Sequence, residues 1–160
     1  MKKTLLISIF ILVSALSAQA NEIKRIFVGN ESAKISIIAF ESLTCSHCAN
    51  FHKDVYPLLK KEYLDTGLAK IEFRHFPLDI AAFNASKVAQ CKNDGNLEIL
   101  ESLYANQQKW VKGNSIEEAN INLQKFLSKE GFNIDFESCI NNKQIEDFVL
   151  NDRIDGAKNF

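Results

Sequence analysis

The sequence predicts an α/β fold that opens with a strand–helix–strand unit and continues as helix. Three observations predict it. Residues 34–40 form a nearly continuous apolar, β-branched run, as in a central parallel strand covered on both faces. After Cys45, apolar side chains recur at steps of three and four, the period of a helix packed on one side. Residues 69–76 then alternate, with Ile71, Phe73 and His75 on one face and Lys70, Glu72 and Arg74 on the other.

Taken in order, the first twenty residues are expected to be a secretory leader. Lys2 and Lys3 give a basic start, residues 5–15 an apolar centre, and Ala18-Gln19-Ala20 a small-residue cleavage site. The apolar stretch is short for a bilayer span. Export places the four cysteines in an oxidising compartment, here the periplasm. The chain of 160 residues carries a formal charge of −1, which becomes −3 once Lys2 and Lys3 are removed. With 46% hydrophobic residues it is neither a disordered chain nor a basic nucleic-acid surface.

Residues 23–28 form a short strand ended by the Gly29-Asn30 turn signal. The helix after Cys45 is expected to put Cys48, Phe51, Val55, Leu58 and Leu59 on one face. Pro57 should kink it, because it cannot donate to the carbonyl of Lys53, and Gly67 should stop it. Strand, helix and strand of these lengths read as a right-handed crossover, the first half of a thioredoxin-like arrangement. Residues 80–142 are helical in pattern. Ala82, Ala85, Val88, Ala89 and Cys91 belong to one helix; Leu97, Leu100, Leu103 and Tyr104 belong to the next. Ser115 and Glu118 form a capping box for a helix ended by Gly131, and Asp135 caps a short helix carrying Cys139. Residues 143–157 are a last helix with Ile145, Phe148 and Val149 inward. No glycine-rich phosphate loop is present and no cofactor is implied.

The chemistry sits at the junction of strand and first helix, where Cys45-Ser46-His47-Cys48 lies. A sulfur at a helix start meets unsatisfied backbone N–H groups and the positive end of the helix dipole, and both favour thiolate. His47, when charged, acts in the same direction. Two other readings of the pair stay open. Cys45, Cys48 and His52 could supply zinc ligands in a binding or chaperone-like module, or the pair could be a plain structural disulfide. The strand-then-helix setting favours redox chemistry. Glu41 is expected to be an exposed carboxylate, and His52 and His75 to be surface or rim histidines.

The leader, the run Phe40-Glu41-Ser42-Leu43-Thr44-Cys45-Ser46-His47-Cys48-Ala49-Asn50-Phe51-His52, the end Phe73-Arg74-His75-Phe76-Pro77-Leu78 and the helical stretch together resemble DsbA-type thiol:disulfide oxidoreductases, closest to the alphaproteobacterial members. The resemblance implies a thioredoxin-like fold with an inserted helical domain. Residues 21–79 would be its N-terminal part, 80–142 the insert and 143–160 a returning helix. It implies donation of a disulfide to exported proteins with free thiols, and reoxidation by a quinone-linked, DsbB-like membrane partner. No nucleic acid is involved, and a monomer is expected. Cys45 would be the attacking, surface-exposed sulfur, Cys48 its buried partner and His47 the residue that holds Cys45 as thiolate. An isomerase or reductase is the alternative within the same enzyme class.

The chain departs from that family's pattern in two places. Ser46 stands where strongly oxidising members have Pro. The family's cis-Pro loop has no counterpart, since the two prolines, Pro57 and Pro77, are placed elsewhere. The C-terminal strands of the fold are missing, and a fragment cut before that loop is expected, with one edge of the 34–40 strand unpaired. Cys91 and Cys139 are either two buried thiols or a structural disulfide, as in some alphaproteobacterial relatives. Their loop of roughly 49 residues would contribute about 4 kcal/mol in the chain-entropy account.

Overall fold

The computed structural model describes residues 22–159, and the predicted leader, residues 1–20, lies outside them. Three strands, β1 (Ile26–Gly29), β2 (Ile35–Glu41) and β3 (Ala69–His75), form one sheet in the order β1-β3-β2. β3 runs parallel to β2 and antiparallel to β1. The expectation that residues 34–40 form a central strand covered on both faces is corrected, while the unpaired edge expected there is found: among the described residues β2 pairs with β3 alone, and Ile35 and Ile38 are 55% and 42% exposed. β3 takes the centre although its sequence alternates, because its polar face is neutralised in place. Arg74 Nε donates to Glu72 at 2.7 Å and its Nη1 to Asp155 at 2.6 Å. An apolar run does not by itself tell centre from edge.

After Cys45 the chain is helical to Leu64, but not as one regular helix. α1 (Ser46–Asn50) leads into a π-helical segment, Phe51–Val55, then α2 (Tyr56–Leu59) and a second π segment, Lys60–Leu64. The wider turns accommodate Pro57, whose missing N–H would break an i→i−4 ladder, and they add residues to the turn. The inward face therefore drifts from the predicted one. Tyr56 and Leu64 are buried, whereas Val55 and Leu58 are exposed. Gly67, at φ +77°, ends the segment as predicted, its N–H donating to Leu64 O at 3.1 Å.

The helical stretch comprises α3 (Ile80–Gln90), α4 (Glu98–Ala105), α5 (Gln107–Trp110), α6 (Ile116–Lys129) and α7 (Phe136–Ile140). Asp79, Ser115 and Asp135 cap α3, α6 and α7 by accepting from Ala82, Glu118 and Ser138 N–H. The capping box is only half as written, for Glu118 reaches the N–H of Asn114 rather than that of Ser115. Leu100, Leu103, Trp110, Leu123 and Phe126 form one continuous core with Ile71 and Phe73 of the sheet. Cys91 and Cys139 are joined, Cα to Cα 5.5 Å, tying α7 to the end of α3.

α8 (Lys143–Asn159) returns across β3 and β2. Its buried Asp152 accepts from the His75 N–H at 3.1 Å and is paired with Arg25, whose guanidinium lies 4.3 Å above the Phe148 ring. Gly156 admits Phe40 and Phe76 so closely that a Cβ there would sit 2.8 and 2.9 Å from their rings.

His75 is not a rim histidine. It is 3% exposed, and its Nε2 meets Gln90 Oε1 at 3.2 Å. Burial is the largest influence and holds the imidazole below its ordinary value; the Arg25 charge acts the same way, against Gln90 and Asp152. The folded chain thus resists a proton that the unfolded chain accepts near pH 6.5. Stability is full above that pH and falls as pH drops below it, by up to about 1.4 kcal/mol per pH unit for this one group. Urea denaturation between pH 7 and 5 should show this slope in the natural chain and a shallower one in His75→Gln; equal slopes would remove His75 as the cause.

Candidate functional site

β2 delivers the motif. Its last residue, Glu41, is still in register with His75, and the Phe76 N–H donates to Glu41 O at 2.7 Å. Ser42–Thr44 then turn the chain, closed by Cys45 N–H to Ser42 O at 3.0 Å. Cys45 is the N-cap of α1, with extended φ −77° and ψ 119° and no side-chain cap. The backbone N–H groups of the first turn are therefore left for its sulfur.

Both thiols are free and half-buried. Partial burial pushes Cys45 up, and so does the charge of Glu41. Against these, the backbone N–H of Cys48, the Cys48 thiol and the backbone N–H of His47 bond to the Cys45 sulfur, and the outcome is a thiol held below its ordinary value. Cys48 moves the other way, to about 11. Burial is the main cause, helped by its donation to Cys45 and by the charges of Cys45 and Glu41, and opposed by the Ser42 backbone. One sulfur is poised as thiolate and its neighbour as thiol. The His47 side chain is exposed, and what reaches Cys45 from this residue is its backbone N–H.

The turn is braced from the helical side. Gln107, the first residue of α5, donates through Nε2 to the carbonyls of Leu43 and Cys45 at 2.8 and 3.0 Å. Thr44 Oγ1 donates to Asp79 Oδ2 at 2.7 Å, while Asp79 Oδ1 caps α3. The Leu78 N–H donates to Ser42 Oγ at 3.3 Å. Polar contacts from α5 and α3 thus fix three successive residues before α1.

Behind the thiols lies a pair that sequence reading placed at the surface. Glu41 is 8% exposed and its Oε2 sits 2.7 Å from His52 Nε2, on a His52 side chain that is 5% exposed. Tyr104 stacks on the imidazole with ring centroids 4.2 Å apart. Burial is the main reason that the Tyr104 hydroxyl is pushed far up, with Glu41 adding to it. The signal for Glu41 was present: Ile37 and Ala39 alternate inward, and the same period of two turns Glu41 inward. Gln107 carried no such signal, being distant in sequence and unremarkable in type. With His52 turned to Glu41, a zinc site of Cys45, Cys48 and His52 would have to break that pair. Among the described residues no group of three His, Cys, Asp or Glu side chains is placed to hold a metal.

Removing one partner of a buried hydrogen-bonded pair strands the other. His52→Ala should cost about 3 kcal/mol or more in denaturant unfolding of the reduced protein, and Glu41→Gln clearly less, since an amide still bonds the ring. Equal small losses would mean that the pair carries little of the packing here.

The thioredoxin family model matches residues 21–159. A Rickettsia conorii protein described as a protein-disulfide oxidoreductase is 29% identical over 127 residues, which are 77% of this chain and 44% of that protein. Its Rickettsia bellii counterpart is 34% identical over 93 residues, 57% of this chain and 36% of its own length. The chain thus spans less than half the length of these relatives. The crystal structure of Wolbachia pipientis alpha-DsbA1 superposes with a TM-score of 0.73 at 31% identity, covering 84% of this chain and 68% of that one. A Novosphingobium aromaticivorans protein-disulfide isomerase superposes at 0.76 with 16% identity, a likeness of fold alone. A thioredoxin-like fold with a helical insertion, a helix-capping Cys-x-x-Cys and this degree of kinship to alpha-DsbA1 place the chain in the DsbA family of thioredoxin-like proteins.

Proposed function

We propose that the chain acts as a thiol:disulfide oxidase outside the cytoplasm, passing the Cys45–Cys48 disulfide to exported proteins with free thiols. The observation that carries this reading is the opposite perturbation of two neighbouring sulfurs, Cys45 held down and Cys48 raised to about 11. Whatever stabilises the Cys45 thiolate stabilises the reduced form, so the disulfide gives itself up more readily. Each pKa unit is worth about 1.4 kcal/mol.

A client thiolate attacks the Cys45 sulfur of the oxidised pair. The Cys45–Cys48 bond breaks, its electron pair goes to Cys48, and a Cys45–client disulfide forms. Cys48 takes up a proton, because burial and the charge of Glu41 oppose a second anion there. A second client thiolate then attacks the client sulfur of the mixed disulfide. Cys45 departs as thiolate, a good leaving group because its pKa is low. The client leaves with a new disulfide and the chain keeps two reduced cysteines. His47, exposed within the motif, adds to the stabilisation when protonated. Reoxidation falls to a quinone-linked membrane partner, and the predicted leader sets the periplasm as the compartment.

Cys45→Ser should abolish oxidation of a reduced client peptide. Cys48→Ser, first loaded at Cys45 with a client by exchange, should keep it there as a mixed disulfide visible by intact mass under non-reducing conditions. Wild-type turnover in both variants would contradict the roles given to the two sulfurs.

A further inference from the structure

We propose that the groove between α5 and α6 receives an acidic segment of the client polypeptide, a proposal that rests on the oxidase reading of Cys45 and Cys48. Lys109, Lys112, Lys125 and Lys129, with Asn122 and Phe126, line a cavity of about 290 Å³. All four lysines are exposed. Ion pairs among the described residues engage Lys60, Lys61, Lys87, Lys92 and Lys143, and none engages these four. Lys125 and Lys129 stand one turn apart on one helix, where like charges repel. The chain as a whole is slightly acidic, at −1, so four unneutralised cations in one groove run against its average.

The groove is joined to the redox turn. Gln107, which bonds the carbonyl of Cys45, precedes Lys109 by two residues in α5. Asn122 of α6 donates to Lys112 O at 2.8 Å, closing the other side. The short helix α5 thus carries both the residue that braces the redox turn and one wall of the groove. Ammonium groups around a concavity suit the carboxylates of Asp and Glu side chains on a chain laid through it. A bilayer would call for an apolar side chain offered outward, whereas Phe126 is 5% exposed at the floor. Unpaired charges next to a reactive group act mainly on encounter, raising the association rate of an oppositely charged partner.

The test uses the oxidised full chain and three reductants: an Asp/Glu-flanked dicysteine peptide, its Lys-flanked twin, and uncharged dithiothreitol. At low ionic strength the acidic peptide should be oxidised roughly tenfold faster than the basic one, the lower end of electrostatic steering. The advantage should shrink as salt shortens the screening length. In the double variant Lys109→Glu, Lys125→Glu the preference should reverse while dithiothreitol oxidation stays unchanged, which also shows that the variant is folded. Equal peptide rates in the natural chain, or a preference that survives the double variant, would overturn the proposal with the oxidase reading intact. Failure to oxidise dithiothreitol would overturn both. Lysine-dependent binding to phosphatidylglycerol vesicles with equal peptide rates would assign the groove to a membrane surface and overturn the client proposal.

Discussion

Two backbone N–H groups at the start of α1, those of His47 and Cys48, do the chemical work on which this fold turns. Burial and Glu41 both oppose a charge on Cys45, and the N–H groups, with the Cys48 thiol, outweigh them. They can do so because Cys45 occupies the N-cap in extended conformation, leaving no other side chain to use those donors. A thiolate bonded by donors already fixed in place needs no rearrangement when charge appears on it.

Holding that turn is a task shared by parts of the chain far apart in sequence. β2 brings Glu41 to the end of the sheet, Gln107 clamps two carbonyls of the turn from α5, and Asp79 binds Thr44 while capping α3. The helical stretch is thus more than a lid: two of its helices begin at residues that touch the redox loop. On the opposite side, Asp152 of α8 joins β3 to Arg25 ahead of β1, so one buried carboxylate ties the returning helix to the sheet.

Much of this was legible in the sequence, and the misses share a cause. Alternation located β3 and its faces, and the caps at Asp79, Ser115 and Asp135 follow from residue type and spacing, although Asp79 was not singled out. Patterns of local period fail where a long-range partner decides. β2 looked central because an apolar run cannot report how many neighbours a strand has. The face of the first helix shifted because π turns around Pro57 change the residue count per turn. Glu41, His52 and His75 looked like surface residues because polar type outweighs position until a partner is known, and each has one: His52 for Glu41, Gln90 for His75.

The central claim is an asymmetry between two sulfurs, and it is open to direct titration. Ultraviolet absorbance of the thiolates in the reduced chain, followed against pH, should rise in two separate steps. The account predicts a first step below the ordinary cysteine value of about 8.5 and a second near 11, with the first lost in Cys45→Ser. A single step at or above the value of free cysteine would contradict it.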